Sequence, residues 1–202
     1  VEQLLERTTC RLVVLALPKE QVPPHWQQNW HDRITVVRGD IASHDDVSRA
    51  MQGCLWCFHL AALVGDAGLD VDHQRVTVGG TKNVFELALS QQVAVVLVTS
   101  ICAYGDAIQR NICHEDVVFG VGQGPYGRAK QGQEALAKSY ASRGVQVCVV
   151  RPANIFGPGS GPWVIDAAAA LRDGLPALIG GGLGNAALSS TKRRAPGFAL
   201  LG

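Results

Sequence analysis

Short apolar runs alternate along the chain with stretches of helical spacing. LVVL (12–15), ITVV (34–37), LWCFHL (55–60), AVVLV (94–98) and VQVCVV (145–150) are rich in β-branched residues. Nearly continuous apolar runs of this length predict strands buried on both faces of a parallel sheet. Between them, residues 1–6 read as a helix end. Residues 43–51 open with Ser43 and carry Asp45 and Asp46 in the first turn, which suits a helix N-terminus. Residues 72–90 carry Val76, Val84, Leu87 and Ala88 as an apolar stripe. Residues 125–142 form the strongest helical pattern, with Pro125 in the first turn and Gly144 past the end. A further helix is expected over 162–172, closed by Gly174. Residues 19–33, with two prolines and two tryptophans, read as a long surface loop. The alternation predicts an α/β fold with a mostly parallel sheet. Periodicity fades from Gly180, so one domain is expected over 1–178 and an irregular tail over 179–202.

Composition narrows the function classes. The chain has 202 residues, 47% hydrophobic and 17% charged, with a net charge of +1. That is a globular composition with a sizeable core. Near-neutral charge gives no electrostatic reason to expect nucleic acid or an anionic membrane as partner. No apolar run approaches the ~18 residues of a membrane span. Six cysteines are present, and CLWC (54–57) has no second pair of ligands at zinc spacing. They are expected as buried, reduced thiols of a cytoplasmic protein, with no metal site.

The chemistry gathers at the strand ends. FHLAAL (58–63) closes the third run, and VTVGGTKNVFELAL (76–89) lies on the helix after it. LVTSICAYG (97–105) closes the fourth run, YGRAK (126–130) opens the strongest helix, and RPANIFGPG (151–159) follows the fifth run. Tyr126 and Lys130 are four apart, so a helix puts them on one face. A phenol titrates near about 10, and a neighbouring ammonium favours its anion. A shift of about three units corresponds to roughly 4 kcal/mol, within reach of a cation in a partly dry site. The tyrosine then becomes a usable acid or base. Ser100 ends its strand, and its hydroxyl can donate to an alkoxide or accept from an alcohol. Strand alternation lets only one of Thr99 and Ser100 face a site.

In this order, the five motifs resemble the extended short-chain dehydrogenase/reductase superfamily, the NAD-dependent epimerase/dehydratase and 3β-hydroxysteroid dehydrogenase-like enzymes. The resemblance covers about residues 1–185. It implies a Rossmann-like, doubly wound parallel sheet and NAD or NADP as cofactor. It implies a small-molecule substrate, nucleoside-sugar or hydroxysteroid-like, reacting at a hydroxyl or carbonyl carbon. Tyr126 would exchange the proton, Lys130 would lower its pKa and hold the nicotinamide ribose, and Ser100 would bond the reacting oxygen. Asp40 and Ile41 would meet the adenine. His59, Leu60, Ala61 and Ala62 would line the cofactor phosphates and ribose, with His59 packing rather than reacting. Pro152 would border the nicotinamide, and Asn154 would reach substrate. Relatives often dimerise through the helices that correspond here to 72–90 and 125–142.

The pattern also departs from the family. A dinucleotide fold opens with a strand, a glycine-rich turn and a helix that holds the pyrophosphate. Here the chain opens in that helix, so an incomplete fold lacking its first strand is expected, with the sheet split where that central strand would lie. Strand two ends at LAL (15–17) without an acid for a ribose diol or an arginine for a 2′-phosphate, which leaves NAD and NADP both open. Thr77 stands where many relatives have asparagine. The second reading is therefore a catalytically silent Rossmann-like module serving binding or scaffolding.

Overall fold

The computed structural model describes residues 1–109, 113–157, 160–174 and 188–190. The chain forms two compact units, Val1–Val150 and Arg151–Gly202, where the sequence pattern suggested one domain as far as 178.

In the first unit helices and strands alternate: α1 (Glu2–Arg7), β1 (Leu12–Ala16), α2 (Pro24–Trp30), β2 (Ile34–Arg38), α3 (His44–Met51) and β3 (Trp56–His59). There follow α4 (Asp70–Asp72), a π-helical turn over His73–Gly79, α5 (Gly80–Gln91), β4 (Ala94–Val98), 3₁₀ turns over Ile101–Gln109, α6 (Gly124–Ala141) and β5 (Val147–Val150). All five apolar runs are strands, and every strand pair is parallel. The sheet is split as expected: β1 pairs with β2, and β3, β4 and β5 form a separate three-stranded sheet in that order.

Burial on both faces holds for β4, which has a strand on each side, but not for the others. On β3, Trp56 is 52% and Phe58 43% exposed. The core lies around β4. Val95 and Leu97 pack with Val47 and Met51 of α3, Val84, Phe85 and Leu87 of α5, and Ala137 and Tyr140 of α6. Phe85, fully buried, stacks on Tyr140 with centroids 5.4 Å apart. Truncating such a ring to alanine typically costs about 3–5 kcal/mol.

Local chemistry sets the ends of these elements. Ser43 caps α3 by accepting from the Asp46 N–H at 3.3 Å. Arg33 reaches back to the C-terminus of α1 and donates to the carbonyls of Leu5 (2.9 Å) and Thr8 (2.6 Å), where a cation offsets the helix dipole.

The expected loop 19–33 instead contains α2. Pro24 fixes its first turn, and His25 and Trp26 both bond the Glu2 carboxylate, at 2.7 and 3.3 Å. The expected helix 72–90 is interrupted by the π-helical turn, a deformation that clusters at functional sites. No disulfide joins the cysteines among the described residues, but Cys10, Cys102 and Cys148 are exposed rather than buried. Cys57 fits the expectation better: burial, reinforced by Cys54, raises its thiol to about 12.

In the second unit β6 (Asn154–Phe156) pairs in parallel with β7 (Leu188–Ser190), Asn154 opposite Leu188. A π-helical turn over Gly161–Ile165 leads into α7 (Asp166–Arg172). The remaining residues of the expected tail lie outside the described residues. No described helix is long and apolar enough to cross a membrane.

Candidate active site

Three expected residues come together at the C-terminal end of the three-stranded sheet. Ser100 follows β4, and Tyr126 and Lys130 stand one turn apart on α6. The start of α6 is fixed from outside the helix. Gly124 adopts φ 63°, and a Cβ there would run into the Asp66 carboxylate. That carboxylate accepts from the Tyr126 N–H at 3.1 Å, satisfying one of the donors a helix start leaves open. Arg128 adds an ion pair to Asp70 at 2.8 Å. Gln131 donates to the carbonyls of Ala103 (2.9 Å) and Gly120 (2.8 Å), which staples the segment after β4 to α6. Within that segment Gly105 (φ 59°) faces the Val121 carbonyl so closely that no side chain fits.

Thr99 and Ser100 differ in burial and in partner. Thr99 is buried and donates to Glu134 Oε1 at 2.7 Å. Ser100 is half-buried and accepts from the Cys102 N–H at 3.1 Å. Its hydroxyl is near enough to the Tyr126 phenol to pull the phenol pKa down.

Lys130 is 3% exposed, with Nζ 5.4 Å from the centroid of the Tyr126 ring. Burial lowers its pKa to about 8, against the opposing pull of Cys102 and Glu134. The expected depression of the tyrosine is not what the structure gives. Burial holds the Tyr126 phenol above its ordinary value, helped by Cys102 and Asp66 and opposed by Ser100. The lysine stands over the ring face rather than at the hydroxyl end, and the site is dry enough for desolvation to win.

His59, at the end of β3, is buried and donates or accepts at 2.8 Å from Thr81 Oγ1. Burial and the nearby Lys130 charge lower it to about 4, so it stays neutral. Leu60 and Ala61 follow it exposed, with Ala62 half-buried. Asp40 and Ile41 follow β2. Asp40 Oδ1 accepts from the Ala42 N–H at 2.9 Å, and the Ile41 carbonyl accepts from Asn83 at 3.0 Å, tying this loop to α5. Pro152 and Asn154 belong to the second unit.

Four residues that the motifs did not single out also shape the site. Asp66 positions α6, and Gln133 and Thr81 meet Lys130 and His59. His73 of the π-helical turn is fully buried edge-on to Tyr126, centroids 6.5 Å apart, with both ring nitrogens lacking a hydrogen-bond partner. Gln133 was open to detection, since it lies one helical turn beyond Lys130; the others come from distant segments.

A dinucleotide can be tested against these residues. Exposed backbone after β3 and a turn-forming acid after β2 suit a ribose and an adenine, and the Lys130 amine suits a ribose hydroxyl. The described residues include no glycine-rich turn joining a strand to a helix for the pyrophosphate. The described residues thus offer polar groups of the kind a ribose and an adenine take, and no phosphate cradle.

The family model of the NAD dependent epimerase/dehydratase family matches residues 1–183. The chain is 29% identical over 162 residues to a 3beta-hydroxysteroid-dehydrogenase/decarboxylase isoform of Arabidopsis thaliana, covering 73% of this chain and 27% of that protein. It is 28% identical over 185 residues to a 2-alkyl-3-oxoalkanoate reductase of Stenotrophomonas maltophilia, covering 82% of this chain and 55% of the relative. Among solved structures, the Bordetella bronchiseptica enzyme WbmH in complex with NAD+ superposes with a TM-score of 0.72 at 23% identity, over 86% of this chain and 57% of that one. The chain thus spans about a quarter to just over half of these proteins' lengths. The match over residues 1–183 establishes that the chain belongs to the NAD-dependent epimerase/dehydratase family.

Proposed function

We propose that this chain carries the proton-transfer half of an NAD(P)-dependent oxidoreductase acting on a secondary alcohol or ketone carbon. The observation that carries the reading is the convergence of Ser100, Tyr126 and Lys130 beside one another at the C-terminal end of a parallel sheet, where open α/β sheets bind ligands. When bound, the nicotinamide supplies or takes the hydride. Tyr126 gives its phenolic proton to the carbonyl oxygen in reduction and accepts the hydroxyl proton in oxidation. Ser100 donates to the same oxygen. Lys130 bonds the ribose and stabilises the phenolate left after proton donation. A phenol held protonated by burial is suited to give its proton to the carbonyl oxygen.

The sterol dehydrogenase and oxoalkanoate reductase relatives support a hydroxyl or carbonyl at a substituted carbon as the reacting group. A hydroxysteroid or a nucleoside-sugar meets that description. In this reading Asp40, Ile41 and residues 59–62 meet the cofactor, Pro152 borders the nicotinamide and Asn154 reaches substrate. Pairing of two copies through helices 72–90 and 125–142 belongs to the same proposal. A screen of 3-oxosteroids, 3-oxoalkanoates and nucleoside-sugars with NADH and NADPH tests it. Turnover that disappears in Tyr126→Phe with folding retained is expected. Turnover that survives this change, or a folded chain that binds no cofactor, favours the silent binding module instead.

A further inference from the structure

The Lys130 amine donates to Gln133 Oε1 at 2.9 Å, and Gln133 is 1% exposed. A glutamine amide presents an acceptor at one end and donors at the other, and its surroundings decide which faces a cation. The far end of Gln133, Nε2, lies 2.7 Å from Thr81 Oγ1. Thr81 gives its only hydroxyl proton to the Thr77 carbonyl, one turn back on the same helix, at 2.7 Å. Its oxygen is thereby left as an acceptor, and it receives two donors: the Gln133 amide and His59 Nε2 at 2.8 Å. The pattern assigns His59 the Nε2–H tautomer and fixes the amide with its oxygen toward the lysine. Reversing the amide would set an NH₂ against an ammonium and take the Thr81 proton away from the Thr77 carbonyl. Each bond is buried, so leaving one unmade would strand a donor or an acceptor away from water.

We infer that Gln133, oriented by Thr81 and His59, is a positioning residue that fixes the Lys130 amine beside Tyr126. The relay runs from the strand end that opens loop 60–62, through α5, to the lysine on α6. Movement of that loop on ligand binding would reach the lysine through three hydrogen bonds. The inference rests on the proposed role of Lys130, whereas the hydrogen-bond chain itself does not. Other titratable groups around the amine are Tyr126 and Glu134 on α6, Cys102 in the turn after β4, and His59 on β3; His73 packs edge-on against Tyr126.

The test is the titration of the Lys130 ε-carbon by NMR in the full chain labelled with ¹³C-lysine. The signal is assigned by its loss in Lys130→Met, and folding is checked by circular dichroism. Gln133→Met removes the acceptor and is expected to lower the titration midpoint by about one pH unit, a tenfold change in the ionisation constant. Gln133→Glu, of equal size, is expected to raise it. Thr81→Val is expected to move it down, and Thr81→Ser, which keeps the hydroxyl, to restore it. Should the methionine variant fail to fold, Gln133→Glu and Thr81→Val carry the test. An unchanged midpoint in folded Gln133→Glu, or in folded Thr81→Val, overturns the inference. No cofactor is needed for this readout. A chain that binds no NADH yet shows these shifts contradicts the proposed function alone; one that binds NADH with unmoved midpoints contradicts the positioning role alone.

Discussion

Lys130 stands over the face of the Tyr126 ring, Nζ 5.4 Å from its centroid, in a pocket dry enough to bring the amine down to about 8. Burial works against both residues' charged forms at once. It keeps the phenol protonated and makes the ammonium costly. A protonated phenol beside a cation is poised to give its proton and then have the resulting anion stabilised.

The neighbours Thr99 and Ser100 should separate stability from activity. Thr99→Val removes the donor to Glu134 and should destabilise the fold by about 1–2 kcal/mol, read from urea denaturation. Ser100→Ala removes a half-buried hydroxyl and should leave the denaturation midpoint nearly unchanged while lowering turnover about 10²-fold or more. Equal losses of stability in the two variants would contradict the division of roles.

The lysine should also appear in the pH dependence of stability. Its folded pKa lies below its unfolded value, so between about 8 and 10.5 the unfolded chain binds more protons. Stability from this group therefore rises as pH rises through that window. Relative to Lys130→Met, the wild-type chain should gain on the order of 3 kcal/mol across it. His59 acts with the same sign in acid. It is neutral when folded down to about 4, below its ordinary 6.5, so stability is lost as pH falls through that interval. His59→Asn should flatten the acid limb. Parallel pH profiles for wild type and either variant would contradict the assigned burial.

Gly124 carries a backbone demand that a side chain cannot meet. Gly124→Ala should cost about 1–3 kcal/mol, since φ is positive and the Cβ would displace Asp66. Asp66→Asn keeps the shape and an acceptor oxygen, so it should cost less. Thermal melts of the two variants check the order. A neutral Gly124→Ala would show that Asp66 does not hold the start of α6.

Much of this was legible in the residues. Short β-branched runs gave all five strands of the first unit, because uninterrupted apolar stretches that short cannot easily be anything else. The Tyr126/Lys130 spacing follows from helix periodicity, and the structure honours it. What stayed hidden depends on contacts between distant segments. Helix α2 is held by Glu2, some 20 residues upstream. The π-helical turn at His73–Gly79 leaves no mark in the apolar stripe of 72–90. The sign of the Tyr126 shift turned on how dry the site is, which spacing cannot report. Gln133 looked like an ordinary polar helix residue until Thr81 and His59, from two other elements, were seen to meet it.

The measurement that tests the central claim most directly is a fluorescence titration of the folded chain with NADH and with NADPH, repeated in Lys130→Met. The account predicts saturable binding of one of the two by the wild-type chain, weakened in the variant because the ribose loses its amine. A folded chain that shows no saturable binding of either, or binding that the loss of Lys130 leaves untouched, would contradict it.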